Sequence, residues 1–342
     1  MTTAAQVFEH CSLAVGEQGL TPSRFDALVR YNERHGCTLF SVGHRRLHFG
    51  SFVGVIQVGQ LAIEILPKTE RAATADKSKW RNALLHMLRR SGLLEVESAP
   101  DADLRLRRSP LLDIYLHSFL TEVERLCHAG LVKRYRITED NLYKLKGRII
   151  FPKQLRQNLL HRERMFTAHQ VYDRDNHFNR ILKCALTIVQ TIASRDSLAP
   201  RAAASLLPFE NVVDAKITEK TFGRLRFDRN TERYRKALQL ARLIILNYAP
   251  DLKGGNEHVM AILFDMNKLF ERFILVQLRR AVASNPTCGI QIFGQVSKRF
   301  WSTKHIRPDI LAQFTPDTGL HRVILDTKWK VPHNGQPSDE DL

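Results

Sequence analysis

The sequence has no pair of cysteines at a spacing that grips a metal. Its five cysteines, Cys11, Cys37, Cys127, Cys184 and Cys288, are scattered through 342 residues with no CxxC and no short Cys–His cluster. The common zinc-ribbon spacings are therefore excluded, and there is no sign of a disulfide framework. No apolar run is long enough to cross a bilayer, because Leu238 to Tyr248 is interrupted by Gln239, Arg242 and Asn247. The opening MTTAAQVFEHCSL lacks the basic region and apolar segment of a secretory leader. G-x-x-x-x-G-K-[ST] is missing too, so the chain offers no phosphate cradle of that kind. Internal repeats and low-complexity tracts are also absent. The expectation is a soluble, cytoplasmic, reduced protein with no membrane partner.

Negative charge is in short supply. Fifty-two Lys and Arg stand against 35 Asp and Glu, a formal +17. A polyanion rewards such an excess, because neutralising its phosphates releases condensed counterions. The charge favours nucleic acid as partner, with an acidic protein as the alternative. At 44% hydrophobic residues the chain can still bury a sizeable core, and its length allows two or three domains.

The pattern along the chain predicts an α+β, multidomain protein. Residues 1–75 read as a β-rich N-terminal domain. Val53-Gly-Val-Ile-Gln-Val58 and Leu61-Ala-Ile-Glu-Ile-Leu66 form two strands joined at Gly59-Gln60, where glycine supplies the positive φ of a tight turn. Ala72 to Lys79 reads as a linker, followed by a helix carrying Trp80, Leu84, Leu85 and Leu88. Residues 76–250 read as a mainly helical middle region. Helices are expected from Ser109-Pro110 onward and over 154–160, 178–192 and 231–246. Lys144, Lys146 and Arg148 alternate with Leu145, Gly147 and Ile149, so on a strand they would share one face. A run of charge is most often a solvated face, with DNA contact the less common use. Gly254-Gly255-Asn256 marks a break before a last domain, residues 251–342.

Three segments of that last domain carry the chemistry. A helix over about 259–283 presents Met266, Leu269, Phe270, Phe273, Ile274 and Leu278 as an apolar stripe. Glu271 flanks the stripe and, taken alone, reads as a boundary carboxylate pairing with Lys268. Next comes Arg307-Pro308-Asp309 before Ile310–Phe314, and then Arg322-Val-Ile-Leu-Asp-Thr-Lys-Trp-Lys330. Turn residues at Pro316–Gly319 make these two an antiparallel hairpin, with Asp309 and Asp326 at the same end. Alternation then sets Asp326, Lys328 and Lys330 on one face, and Leu325, Thr327 and Trp329 on the other. Two carboxylates so placed can hold Mg²⁺, which takes one or two carboxylates plus waters and phosphate oxygens. Lys328 could orient a water or steady developing charge. A lone Asp-x-Lys means almost nothing; joined to a Pro-Asp strand it reads as a metal site, against the bland alternative of a surface salt bridge.

Pro308-Asp309 with Ile324-Leu-Asp-Thr-Lys-Trp-Lys330 resembles the PD-(D/E)xK nuclease motif of McrC proteins, the nuclease subunits of McrBC modification-dependent (5-methylcytosine-specific) restriction systems. The likeness extends to Val53–Val58 through Ile65–Lys68, to Leu145–Arg148, to Asn176–Ala185 and to Phe264–Glu271. It implies a DNA endonuclease subunit with a PD-(D/E)xK α/β core. Asp309, Asp326 and Lys328 would be the metal-binding and catalytic positions, and Glu271 a site carboxylate that also binds metal. It further implies Mg²⁺, double-stranded DNA, and a McrB-like AAA+ GTPase hexamer bound through the N-terminal region and stimulated by it. Nuclease domains of this superfamily usually continue into a helix bearing a Gln or Tyr. Ser338 and the acidic residues after it read as the start of such a helix, so the nuclease domain is expected to be incomplete. Two other readings stay open. One is a non-cutting activator of a AAA+ GTPase with a degenerate nuclease domain; the other is a basic DNA-binding module.

Overall fold

A computed structural model describes residues 3–36, 38–67, 76–94, 111–193, 198–250, 257–285, 289–295, 298–299, 305–306, 308–314 and 321–329. Several expectations fall outside them: Lys68, residues 72–75 of the 72–79 linker, the Ser109-Pro110 helix start, Gly254–Asn256, Arg307, the Pro316–Gly319 turn, Lys330 and the Ser338 segment. The chain is mixed α and β and divides into two compact units, Met1–Tyr115 with Ala249–Leu342, and Leu116–Tyr248. Among the described residues no helix is long and apolar enough to cross a membrane, and Cys11, Cys127 and Cys184 are free thiols.

The first unit is organised by one sheet. Phe52–Val58 and Leu61–Leu66 are the expected antiparallel pair, with Val58 opposite Leu61 and Gly59 at φ +54°. Thr3–Phe8 runs parallel to Leu61–Leu66 on one side. On the other, Val259–Asp265 pairs antiparallel with Phe52–Val58, Asp265 opposite Phe52. This last strand corrects the expected 259–283 helix. Val259–Phe264 is a short continuous apolar run, which fits a fully buried strand as well as a helix, and tertiary pairing decides between them. The helix proper is Met266–Ser284, started by Asp265, whose side chain accepts from the Asn267 and Lys268 amides. Glycine is required at position 54: it sits at φ +138°, and a Cβ there would lie 2.1 Å from the Ile262 carbonyl oxygen. Beneath the sheet lies a core that includes Leu28, Tyr31, Ile56, Leu61, Ile63, Ile65 and Ala261.

Glu64, buried in the middle of this sheet, has carboxyl oxygens that must find partners. It accepts from Arg81 Nε at 3.1 Å, Gln6 Nε2 at 2.9 Å and the Leu111 amide at 2.8 Å. Arg81 belongs to the helix Lys77–Arg90, which begins inside the expected linker, with Asp76 as its N-cap. That helix packs against the Met266–Ser284 helix, His86 edge-on to Phe273 at 5.6 Å. A smaller sheet follows the helix: Gln291–Gly294 and His321–Leu325 flank Ile310–Phe314, all antiparallel.

The second unit holds helices His177–Ile192, Leu198–Leu206 and Arg235–Leu246 around Ile181, Leu182, Leu186, Ala237 and Ala241. It also holds two long paired strands, Arg134–Leu142 and Met165–Asp173, which the sequence reading missed. Their apolar alternation does not mark a core, because Tyr135 (72%) and Ile137 (71%) are exposed. A further correction concerns Lys144, Lys146 and Arg148. Only Arg148–Ile149 is strand, so the three do not line a strand face. Gly147, at φ +74°, turns the chain where a Cβ would come within 2.3 Å of the Ala168 carbonyl oxygen.

Candidate functional site

The site hairpin of the first unit is built as its sequence requires. Ile310 lies opposite Leu325, which leaves Asp309 and Asp326 at the same open end. The ladder stops at Leu325, and every residue of His321–Leu325 is exposed; burial alternates only past the strand. Asp326 and Lys328 are exposed, whereas Thr327 and Trp329 are half-buried. The ammonium of Lys328 meets Asp326 Oδ2 at 2.8 Å. With both side chains about half exposed, the pair contributes little to folding, roughly 0–1 kcal/mol.

Asp309 is aimed one residue to the side. Its Oδ2 accepts from the Thr327 amide at 2.9 Å and from the Thr327 hydroxyl at 3.0 Å. Thr327 stands between Asp326 and Lys328 in the chain, so the first aspartate is held against the segment that carries the other two groups. Glu271 lies one turn into the helix and does not take Lys268 as its partner. Its Oε1 accepts from Gln295 Nε2 at 2.6 Å. Gln295 also gives its backbone N–H to the Asp309 carbonyl oxygen at 2.9 Å. Hydrogen bonds through Gln295 and Thr327 thus tie Glu271 and Asp309 to the segment that carries Asp326 and Lys328. The four residues do not form one carboxylate cluster: among the described residues no three His, Cys, Asp or Glu side chains come together as a metal cage.

One more contact fixes the site segment. Trp329 donates its indole N–H to Oε1 of Glu9 at 2.8 Å, and Glu9 is only 2% exposed. The Trp329 ring packs edge-on to Trp80, centroids 6.4 Å apart, and against Phe270 at 5.0 Å. The strand end, the helix before it and the N-terminal sheet therefore share one joint.

The sequence model of the family described as "McrBC 5-methylcytosine restriction system component" matches residues 47–341. The chain belongs to this family. A relative in Escherichia coli (strain K12), "Type IV methyl-directed restriction enzyme EcoKMcrBC", is 24% identical over 225 residues, 64% of either protein. The chain thus spans less than two thirds of that relative. Among solved structures, a chain of the refined half-complex from a tetradecameric assembly of Thermococcus gammatolerans McrB AAA+ hexamers with bound McrC matches with a TM-score of 0.64 at 19% identity, covering 91% of this chain and 76% of that one. The Thermococcus gammatolerans McrBC complex matches with a TM-score of 0.59, also at 19% identity, over 82% and 88%. At that identity the likeness concerns the fold.

All four expected site residues lie inside the McrBC family match. Their chemistry suits the Mg²⁺ that the motif implies. Asp309 Oδ1, Asp326 Oδ1 and Glu271 Oε2 make no hydrogen bond among the described residues, which leaves one hard oxygen open on each carboxylate. Mg²⁺ commonly takes only one or two carboxylates and keeps several waters, so it does not require a three-carboxylate cage among the described residues. The roles of four residues are not visible in the sequence. Thr327 was placed on the far face by alternation, Gln295 carries no motif, and the Glu9–Trp329 bond joins positions 320 residues apart.

Proposed function

We propose that this chain is the DNA-cutting component of a modification-dependent restriction complex, hydrolysing phosphodiesters with Mg²⁺ on a PD-(D/E)xK core and working with a McrB-like AAA+ GTPase. The observation that carries this reading is Asp309 and Asp326 at the open end of one hairpin, with Lys328 2.8 Å from Asp326. Mg²⁺ bound there would polarise the scissile phosphate and lower the pKa of a water. Asp309, Asp326 and Glu271 would hold it through their open oxygens. Thr327 fixes the rotamer of Asp309, and the exposed Lys328 ammonium lies where it can leave Asp326 for a phosphoryl oxygen. The net +17 supports a DNA partner. Mixed with the cognate GTPase, GTP, Mg²⁺ and methylated DNA, the chain should cut. Cutting should stop with a chelator and with Asp326→Ala; cleavage that persists in both arms rejects the reading.

A second reading, the non-cutting activator, draws support from there being no three-carboxylate cluster among the described residues. It expects stimulated GTP hydrolysis with DNA left intact under every metal.

For the partner surface we favour the strands and helix of residues 135–160 over residues 1–75. In the first 75 residues Val42 is the one large exposed hydrophobic among those described. By contrast Tyr135, Ile137, Leu145, Phe151, Leu155 and Leu159 are all more than half exposed, and patches of this kind mark protein contacts. Leu155→Asp combined with Leu159→Asp should reduce GTPase stimulation at least tenfold and leave the circular dichroism spectrum unchanged. Stimulation at the wild-type level would move the contact elsewhere.

A further inference from the structure

Gln295 is one of four described non-glycine residues with positive φ, at +50°. An L-residue pays for the left-handed region, and a glutamine gains nothing locally that an asparagine or glycine would not supply at lower cost. Such outliers persist where the surroundings over-determine them, and they gather at functional sites. Here the surroundings are visible. Gln295 follows directly on the strand Gln291–Gly294, whose last residue pairs with Ile310. The left-handed turn lets its backbone N–H reach the Asp309 carbonyl oxygen at 2.9 Å while its side chain reaches Glu271 Oε1 at 2.6 Å. One residue therefore ties the carboxylate of the helix to the aspartate that opens the site hairpin.

We propose that Gln295 is a positioning residue of the nuclease site: its strained turn sets the distance between Glu271 and Asp309 and keeps Glu271 Oε2 turned out for a ligand. The assignment rests on the nuclease reading above. The amide acts by geometry. It occupies one oxygen of Glu271 and leaves the second without a hydrogen-bond partner among the described residues. A shorter side chain at 295 leaves the helix carboxylate free to rotate, and a shift of about 1 Å in a site group can cost a hundredfold in rate.

Two substitutions separate this from a purely structural role. Both Gln295→Gly and Gln295→Ala remove the side-chain bond to Glu271 and keep the backbone bond to Asp309; the glycine also relieves the backbone, and the alanine keeps the strain. Both should lower DNA cleavage in the assembled complex at least tenfold and raise the Mg²⁺ concentration needed for half-maximal cutting. Only Gln295→Gly should also raise the Tm, by about 1–3 °C. A residue conserving structure alone would lose stability and activity together. Gln295→Gly cutting within twofold of wild type, or melting lower than Gln295→Ala, overturns the positioning role and leaves the nuclease reading in place. A wild-type chain that cuts with no divalent metal removes both.

Discussion

Lys328→Ala is expected to lower DNA cleavage roughly a hundred- to a thousandfold, the usual loss when a single group that stabilises developing charge is removed. Folding should be nearly unaffected, because the ion pair it breaks is half exposed and worth little. Asp309→Asn should be as damaging to cleavage for a different reason. An asparagine oxygen can still accept from the Thr327 amide and hydroxyl, so the hairpin end keeps its shape. What disappears is negative charge at the open oxygen. Parallel measurements of cleavage rate, urea midpoint and GTPase stimulation decide the matter: loss of cleavage with the other two unchanged is the expected pattern. Either variant cutting at the wild-type rate would remove the role assigned to that residue.

Trp329 carries the second large effect, and it links stability to the site. Its indole N–H is a donor to the buried Glu9 carboxylate, and its ring fills the joint between Trp80 and Phe270. Trp329→Ala removes both and should destabilise the first unit by about 3 kcal/mol, near the low end for a large aromatic because the side chain is only half-buried. Trp329→Phe is the more informative change. It keeps most of the packing and deletes one donor to a buried carboxylate, a loss of about 1–3 kcal/mol. Lys328 precedes Trp329 directly, so a slackened anchor displaces the ammonium and its Asp326 partner. Cleavage by Trp329→Phe should fall ten- to a hundredfold at a temperature where the variant is fully folded. Wild-type cleavage from a folded Trp329→Phe protein would show that the anchor serves stability alone.

The elements legible in the sequence were those whose signal is local. The Val53–Leu66 strand pair was readable because Gly59 supplies the turn and Val and Ile fill both strands. The end-to-end placement of Asp309 and Asp326 was readable because a hairpin with Ile310 opposite Leu325 allows no other arrangement. Alternation anticipates the exposed Asp326 and Lys328 and the half-buried Thr327 and Trp329, but it fails at Leu325, which it sets on the inner face and which is exposed. Glu271 was readable only through family likeness, since its spacing on the helix equally fits a boundary salt bridge.

What the tertiary structure alone decided was every contact made across a long sequence separation. Val259–Phe264 has one apolar composition whether helical or extended. It is a strand because Phe52–Val58, some 200 residues earlier, offers an unpaired edge and Gly54 permits the close approach. The Glu9–Trp329 bond has no local signature, since burial makes the carboxylate need a donor and only the fold says which one. The left-handed turn at Gln295 is likewise invisible in composition, because glutamine is not a residue that announces positive φ. Short-range sterics and periodicity wrote the strands, the hairpin and the faces of its residues; desolvated polar groups seeking partners decided how those pieces lock into a site.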